Sequence, residues 1–258
     1  IEDVLRASIG IRTEGYTHQS KFAYPMNGGF QAITDGFALS LEENIRLSTP
    51  VTDVRQVGET WHVNGEQFDR VVNTVPMNLV PDFLEGMPAD AASAMRELSN
   101  NQISCFLIAL DREEHPDLSW VYLPHHNQGP ANRITYMSNY SPNNAPTGKT
   151  SFLCEVTSPG GGAYPDGSLA DEVVDGMAHA GLLAKDEVLF TDRTDTRWAY
   201  IVYDHPFEAR KAAALEYAES IGLDLLGRFG RYDYHNSDQC VIEAEKMADA
   251  LLSDAKRG

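Results

Sequence analysis

Apolar positions along this chain change period several times, and each change marks an element. Phe30, Ile33, Phe37 and Leu41 recur at helical spacing and predict a helix over 29–43. The runs "IRLST", "VTDVRQV", "ETWHV" and "FDRVVNTVP" then predict strands in a β-rich block that closes near residue 75, ended by Pro76. Gly58 supplies one turn, and Asn64-Gly65 is a strong two-residue hairpin signal. A helix over 88–97 leads into "QISCFLIALD", whose nearly continuous apolar run predicts a buried strand. "SWVYLP", "RITYMSNY" and "TSFLCEVT" predict three more strands, separated by Pro-, Asn- and Gly-rich loops at 124–132, 141–149 and 158–167. The remainder alternates: a helix at 168–182, a strand at 187–193, the strand "WAYIVYD", a helix at 206–221, a short strand at 223–228 and a final helix at 236–254.

Strands crowd the middle of the chain, and helices alternate with strands at its ends. That pattern predicts a mixed α/β protein in which the first and last segments form one domain and the middle is inserted as another.

Composition adds limits to this picture. A chain of 258 residues buries roughly 70–75% of its unfolded surface and needs no disulfide or metal to hold a core. Asp and Glu number 38 against 20 Lys and Arg, a formal charge of −18. Such a field repels phosphates and argues against nucleic acid and anionic membrane surfaces as partners. The acidity reads as a solvated surface, a reading that fails if the carboxylates crowd one cleft. No apolar run approaches the roughly 18–20 residues of a membrane span. Cys105, Cys154 and Cys240 lie far apart and form no CxxC pair, so neither a zinc knuckle nor a disulfide framework is supported. A reducing, cytoplasmic compartment is the simplest assignment. The first residue is Ile1 rather than Met, which suggests an excerpt of a longer protein.

Motifs exclude more than they assign. His125-His126 are adjacent and lack an HExxH or a matching pair, so no metal site is expected. Neither GxSxG nor GxGxxG occurs. Gly160-Gly161-Gly162 precedes "AYPDGS" rather than opening a helix after a strand, and reads as a flexible loop. More informative are two aromatic-basic groups, Arg197, Trp198, Tyr200 and Tyr203 before one helix and Arg228, Arg231, Tyr232 and Tyr234 before another. Guanidinium groups bind phosphate in bidentate fashion, and tyrosines offer a stacking face and a hydroxyl, which suits a nucleoside diphosphate. Equally, the tyrosines could be half-buried core residues and the arginines partners of the abundant carboxylates; on residue types the two readings balance. Asn236, Ser237 and Asp238 are all good N-caps, and a helix start stabilises an anion or an electron-rich ring.

"RWAYIVYD", followed by "GRFGRYDYHNSDQCVIEAEKMADAL", resembles the closing segment of UDP-galactopyranose mutases and of related flavin-dependent proteins of lipopolysaccharide biosynthesis, within the FAD-dependent amine oxidase and protoporphyrinogen oxidase superfamily. "YPMNGGFQAITDGFA" and "IRLSTPVTDVRQVGETWHVNGEQFDRVVNTVP" fit the same superfamily, and "RITYMSNYSPNNAPTGKTSFLCEVT" looks like the substrate-domain sheet of the lipopolysaccharide-associated branch. The resemblance spans 24–252. It implies part of a discontinuous, Rossmann-like FAD-binding domain (1–80 and 204–258) around an inserted substrate domain (81–203) with a mostly antiparallel sheet and helices. It also implies that the glycine-rich phosphate loop precedes Ile1, so that this chain alone holds FAD weakly or not at all.

Carried over by position, Arg228 matches the catalytic arginine beside flavin and substrate, and Tyr200, Tyr203, Tyr234 and Arg133 fall on the substrate side. Asn236 and Ser237 fall where the last helix meets the isoalloxazine, and Val51 falls on the adenine side of FAD. In such mutases the reduced flavin attacks the anomeric carbon and UDP leaves, with no net redox change. Two departures stand out: the mutases carry aspartate where this chain has Asn236, and their arginine-bearing uridine-nucleotide motif is not found in the middle region. An amine- or porphyrinogen-oxidase type of flavin oxidoreductase, and a folded segment without catalysis, therefore remain alternatives to a mutase acting on a UDP-sugar.

Overall fold

The computed structural model describes residues 22–164 and 167–255. The start of the chain at Ile1 and the whole first quarter of the 1–80 segment lie outside the described residues, as do two residues of the loop expected at 158–167.

Alternating apolar and polar residues after Thr52 fold into a meander of β1 (Val54–Val57), β2 (Thr60–Val63) and β3 (Glu66–Phe68), in that order and antiparallel. Val63 pairs with Glu66 across Asn64 (φ 49°) and Gly65 (φ 84°), the two positive φ angles of a type I′ hairpin. Asn64 also anchors the preceding loop. Its Oδ1 accepts from the Thr52 N–H at 3.0 Å, and its Nδ2 donates to the Pro50 carbonyl at 2.9 Å. Val51 is thereby held in place on the surface.

A five-stranded antiparallel sheet fills the middle of the chain. Its strands are β5 (Asn100–Leu110), β6 (Trp120–Tyr122), β7 (Arg133–Tyr136), β8 (Thr150–Pro159) and β9 (Val188–Ile201), ordered β6-β7-β8-β5-β9. Along β5 the even-numbered residues from Gln102 to Leu110 are buried and the odd-numbered ones only partly so. The expected buried strand is therefore buried on one face. On that face Phe106, Ile134 and Cys154 pack with Leu169, Val173 and Met177 of α3 (Leu169–His179). Each large apolar side chain so covered contributes about 1.5–3 kcal/mol. The opposite face of the sheet, which bears Arg133, Glu155 and Cys105, carries the site described below.

A second core joins residues on both sides of this sheet in sequence. Val54, Trp61, Met77, Met95 and Leu98 pack with Ile201, Leu225 and Tyr232, and with Phe207, Ala214 and Ala218 of α4 (Phe207–Ser220). Helix α2 (Ala89–Arg96) lies against α4. A short parallel pair, β4 (Val72–Asn73) with β10 (Asp224–Leu225), ties the two segments together, and Arg70 reinforces it with a 3.0 Å ion pair to Asp224. By contrast α1 (Gln31–Ala38) and the described part of α5 (Ser237–Ala255) carry no buried side chain.

Several expectations are corrected. "IRLST" is not a strand but an exposed loop, with Leu47 83% exposed and Ser48 at φ 53°; its alternation finds no partner strand among the described residues. "FDRVVNTVP" divides between two sheets, as β3 and β4. The runs at 187–193 and 198–204 are joined as the single strand β9, because the long β5 offers pairing through the polar residues between them. The helix expected at 29–43 covers only Gln31–Ala38.

Candidate functional site

Strand register brings the polar residues of the sheet face opposite α3 into a row. Tyr122 pairs with Arg133, Arg133 with Glu155, Glu155 with Cys105, and Cys105 with Thr194. Directly paired residues share a face, and the row one residue on (Val121, Ile134, Cys154, Phe106) points into the core instead. Glu155 is only 4% exposed and is the one charged residue among the buried ones described. Arg133 compensates it. Both Nε, at 3.0 Å, and Nη2 of Arg133 donate to Glu155 Oε1, while the Tyr200 hydroxyl donates to Oε2 at 3.1 Å.

Above Tyr200 sits Arg228, placed by the loop that follows β10. Gly227, with φ 84°, starts this loop. At Gly230 a Cβ would lie 2.1 Å from the Leu226 carbonyl oxygen and 2.9 Å from that of Asn73, so the backbone passes where only glycine fits. Tyr232 is fully buried and donates its hydroxyl to the Leu98 carbonyl at 3.2 Å, and the Met77 N–H holds the Phe229 carbonyl at 2.9 Å. With both ends of the loop in the core, the Arg228 guanidinium lies 4.4 Å from the Tyr234 ring centre, 5.5 Å from that of Tyr200 and 5.9 Å from that of Phe229. Such cation–π contacts are worth about 0.5–2 kcal/mol each. Its Nε and Nη2 are buried, yet neither has a hydrogen-bond partner among the described residues. Arg231, three positions on, is paired with Asp233 at 3.2 Å, and Asp233 also pairs with Lys211.

The electrostatics follow from this placement. Burial first, and then the Glu155 charge, push the Tyr200 phenol up to about 12 and the Cys105 thiol up to about 11. Both groups are therefore neutral at physiological pH, and Tyr200 is a donor. Burial works against the Arg133 charge, but its hydrogen bonds to Glu155 and the Glu155 field more than offset this and raise it. Burial also raises the Tyr203 phenol, which lies in the fields of Arg228 and Tyr234.

Of the residues singled out from sequence, the structure brings Arg228, Tyr200, Tyr203 and Tyr234 together and links Arg133 to them through Glu155. Tyr203 and Tyr234 are each 54% exposed, open to a ligand from solvent. The two balanced readings of the aromatic-basic groups divide by residue: Tyr232 is core and Arg231 pairs with a carboxylate, whereas Arg228 does neither. Asn236 and Ser237 sit exposed where α5 starts, and the Asn236 N–H takes a 2.8 Å bond to Gln239 Oε1, one half of a capping box. Val51 makes no hydrogen bond, ion pair or ring contact with this cluster among the described residues.

Glu155 was missed from sequence, although a lone carboxylate inside "TSFLCEVT" is itself a signal. Tyr122 and Cys105 could be added only from strand register. Two cavities, of about 550 and 510 Å³, lie between β10 and α5 and beside α3, and Arg228 lines neither. The first is walled by matched charges, Arg70 with Asp224, Arg231 with Asp233 and Lys246 with Glu243, beside the partnerless His235 Nδ1, whereas Arg228 is a full cation with two partnerless nitrogens. Among the described residues no group of three or more His, Cys, Asp or Glu could hold a metal ion, and no helix is long and apolar enough to cross a membrane.

The arrangement of an inserted antiparallel sheet beside a split parallel pair has solved counterparts. A reduced UDP-galactopyranose mutase superimposes with a TM-score of 0.79 at 20% identity, over 89% of this chain and 52% of that one. The fold is shared with that mutase. A protein assigned as a protoporphyrinogen oxidase from Exiguobacterium sp. 255-15 gives 0.66 at 16% identity, over 86% of this chain and 51% of that one. A putrescine oxidase variant redesigned in cofactor binding gives 0.65 at 13% identity, over 88% and 53%. The chain thus spans about half the length of the structures it matches. No protein-family model matches it, and neither does any curated protein sequence.

Proposed function

We propose that this chain provides the substrate face, and part of the cofactor-binding domain, of an FAD-dependent enzyme resembling UDP-galactopyranose mutase, acting on a nucleotide sugar in cell-surface polysaccharide biosynthesis. The observation that carries this reading is Arg228, a caged guanidinium with two buried N–H-bearing nitrogens and no partner for them. A buried donor without an acceptor costs about 1–3 kcal/mol, a cost that an anionic ligand would remove. In this reading 1–80 and 204–258 contribute to the FAD-binding domain and 81–203 form the substrate domain, with Met95 and Leu98 packing across the first boundary.

The partnerless Arg228 Nε and Nη2 suit an anionic or electron-rich group such as a flavin, and Asn236 and Ser237 at the start of α5, with Val51 on its pinned loop, would hold the cofactor. When bound, FAD supplies a nucleophilic or electron-accepting ring. The chain's own residues do the rest. Arg228 takes up the charge of a diphosphate leaving group, and Tyr234 and Tyr203 flank it from the solvent side. Tyr200, kept protonated, donates to Glu155 while its ring supports Arg228. This is charge stabilisation by preorganised groups.

Calorimetric titration with UDP tests the reading: UDP binds the wild-type chain, and Arg228→Ala weakens it about 10- to 100-fold, the value of a charge-assisted bond. No binding to wild type refutes it. The isolated chain is expected to purify without stoichiometric flavin absorbance. A flavin oxidoreductase of the amine- or porphyrinogen-oxidase type is the second reading, favoured by the neutral Asn236 at the start of α5 where the resemblance places a mutase aspartate. Substrate-dependent flavin reduction by the protein loaded with FAD would favour it over the mutase.

A further inference from the structure

We propose that Glu155 is a positioning residue: it fixes the Tyr200 ring on which Arg228 rests, and so sets where Arg228 presents its unpartnered N–H groups. The inference rests on the reading of the Arg228 face as a substrate site and deepens it.

The division of the carboxylate is the first argument. An arginine facing a carboxylate ordinarily forks across both oxygens. Here Arg133 places both of its bonds on Oε1, and the bond from Tyr200 goes to Oε2. The carboxylate thus joins two side chains on strands that are not neighbours, Arg133 on β7 and Tyr200 on β9.

The second argument is the backbone beneath Tyr200. β9 is an edge strand, and most of its residues before Trp198 are exposed. Its register slips beside the tyrosine: Asn101 pairs with Tyr200, but Ile103 pairs with Thr196. Such an irregularity re-aims the side chains next to it, and backbone pairing alone does not fix a phenol there. The hydroxyl bond to a buried carboxylate, itself held by register opposite Arg133 and Cys105, does. The fixed ring then meets the Arg228 guanidinium at 5.5 Å.

A double-mutant cycle on the full chain tests this, with UDP as the probe. Glu155→Gln keeps the side-chain shape, and Tyr200→Phe keeps the ring while removing the bond to Glu155. Each single change is expected to weaken UDP binding about five- to tenfold, and the double variant no more than the weaker single one. Losses that multiply instead, as two independent structural effects would, overturn the proposal. A second readout needs no ligand: with the Tyr200, Tyr234 and Phe229 rings around it, the Nε–H resonance of Arg228 is expected to be displaced by ring currents in the wild type and to shift in both single variants. If Glu155→Gln does not fold, Tyr200→Phe still decides, because an unmoved Arg228 signal there overturns the proposal. Should UDP fail to bind the wild type while the Arg228 signal responds to both changes, the nucleotide reading falls and the positioning role stands.

Discussion

Arg133 and Arg228 face the same tyrosine from two regions built on opposite plans. Arg133 belongs to the sheet, where strand register sets its neighbours and a buried carboxylate compensates its charge. Arg228 belongs to a loop held by a glycine contact and a buried tyrosine, and aromatic rings surround its charge without cancelling it. The first arrangement spends a cation on structure. The second keeps one for something else. Residue type and sequence spacing alone do not distinguish the two arginines; their partners do.

The strongest way to break the contrast is to unbalance the sheet side. Glu155→Ala leaves Arg133 beside a vacated carboxylate position, and removing one partner of a buried pair costs about 3–5 kcal/mol. Urea unfolding should show a loss of that order, and a loss under about 1 kcal/mol would mean that water already reaches the pair. On the loop side, Gly230→Ala forces the backbone away from the Leu226 and Asn73 carbonyls. It should cost about 1–3 kcal/mol by overpacking and weaken UDP binding with it, since the same loop carries Arg228. Tyr232→Phe removes only the hydroxyl bond to Leu98 and should cost about 1 kcal/mol in the same unfolding assay.

A pH series sharpens the comparison further. The folded state holds the Tyr200 proton up to about 12, against about 10 in the unfolded chain. Its contribution is therefore complete below about pH 10 and fades as the pH rises toward 12. Glu155, Arg133, Tyr234 and Arg228 are the charged or titratable groups around it. Unfolding free energy should fall across that window, and less steeply in Tyr200→Phe; equal slopes would mean that burial and the Glu155 charge together do not raise Tyr200. The smallest effect is expected at Arg46, whose ion pair with Glu66 has both side chains exposed. Arg46→Ala should leave the melting temperature unchanged, in contrast with the pair at Glu155.

What the sequence disclosed follows the same divide. Periodicity located the sheet strands and α3, because each buries an apolar face, and Asn64-Gly65 announced its hairpin through backbone sterics alone. It misjudged "IRLST", whose alternation meets no partner among the described residues, and the gap expected within β9, because pairing with β5 lies outside any local window. The aromatic-basic groups pointed to Tyr200 and Arg228 but could not separate Arg228 from Arg231, a distinction made by Asp233 and Lys211. Glu155 could be noticed as an oddity in an apolar strand; its division between Arg133 and Tyr200 depends on contacts 22 and 45 residues away.

The parallel pair β4–β10 has a consequence for the order of folding. Arg70 and Asp224, which clasp it, are separated by 154 residues, and the whole five-stranded sheet lies between them. Closing so long an unstructured loop is entropically costly, and it becomes cheaper once the enclosed sheet has collapsed and brought its two ends together at β5 and β9. Amide protection should therefore arise first across β5, β8 and β9 and last at Asp224 and Leu226, whose N–H groups donate to the Val71 and Asn73 carbonyls. On that order, Arg228 reaches its place over Tyr200 only in the closing step, so the site is assembled by the last contact to form.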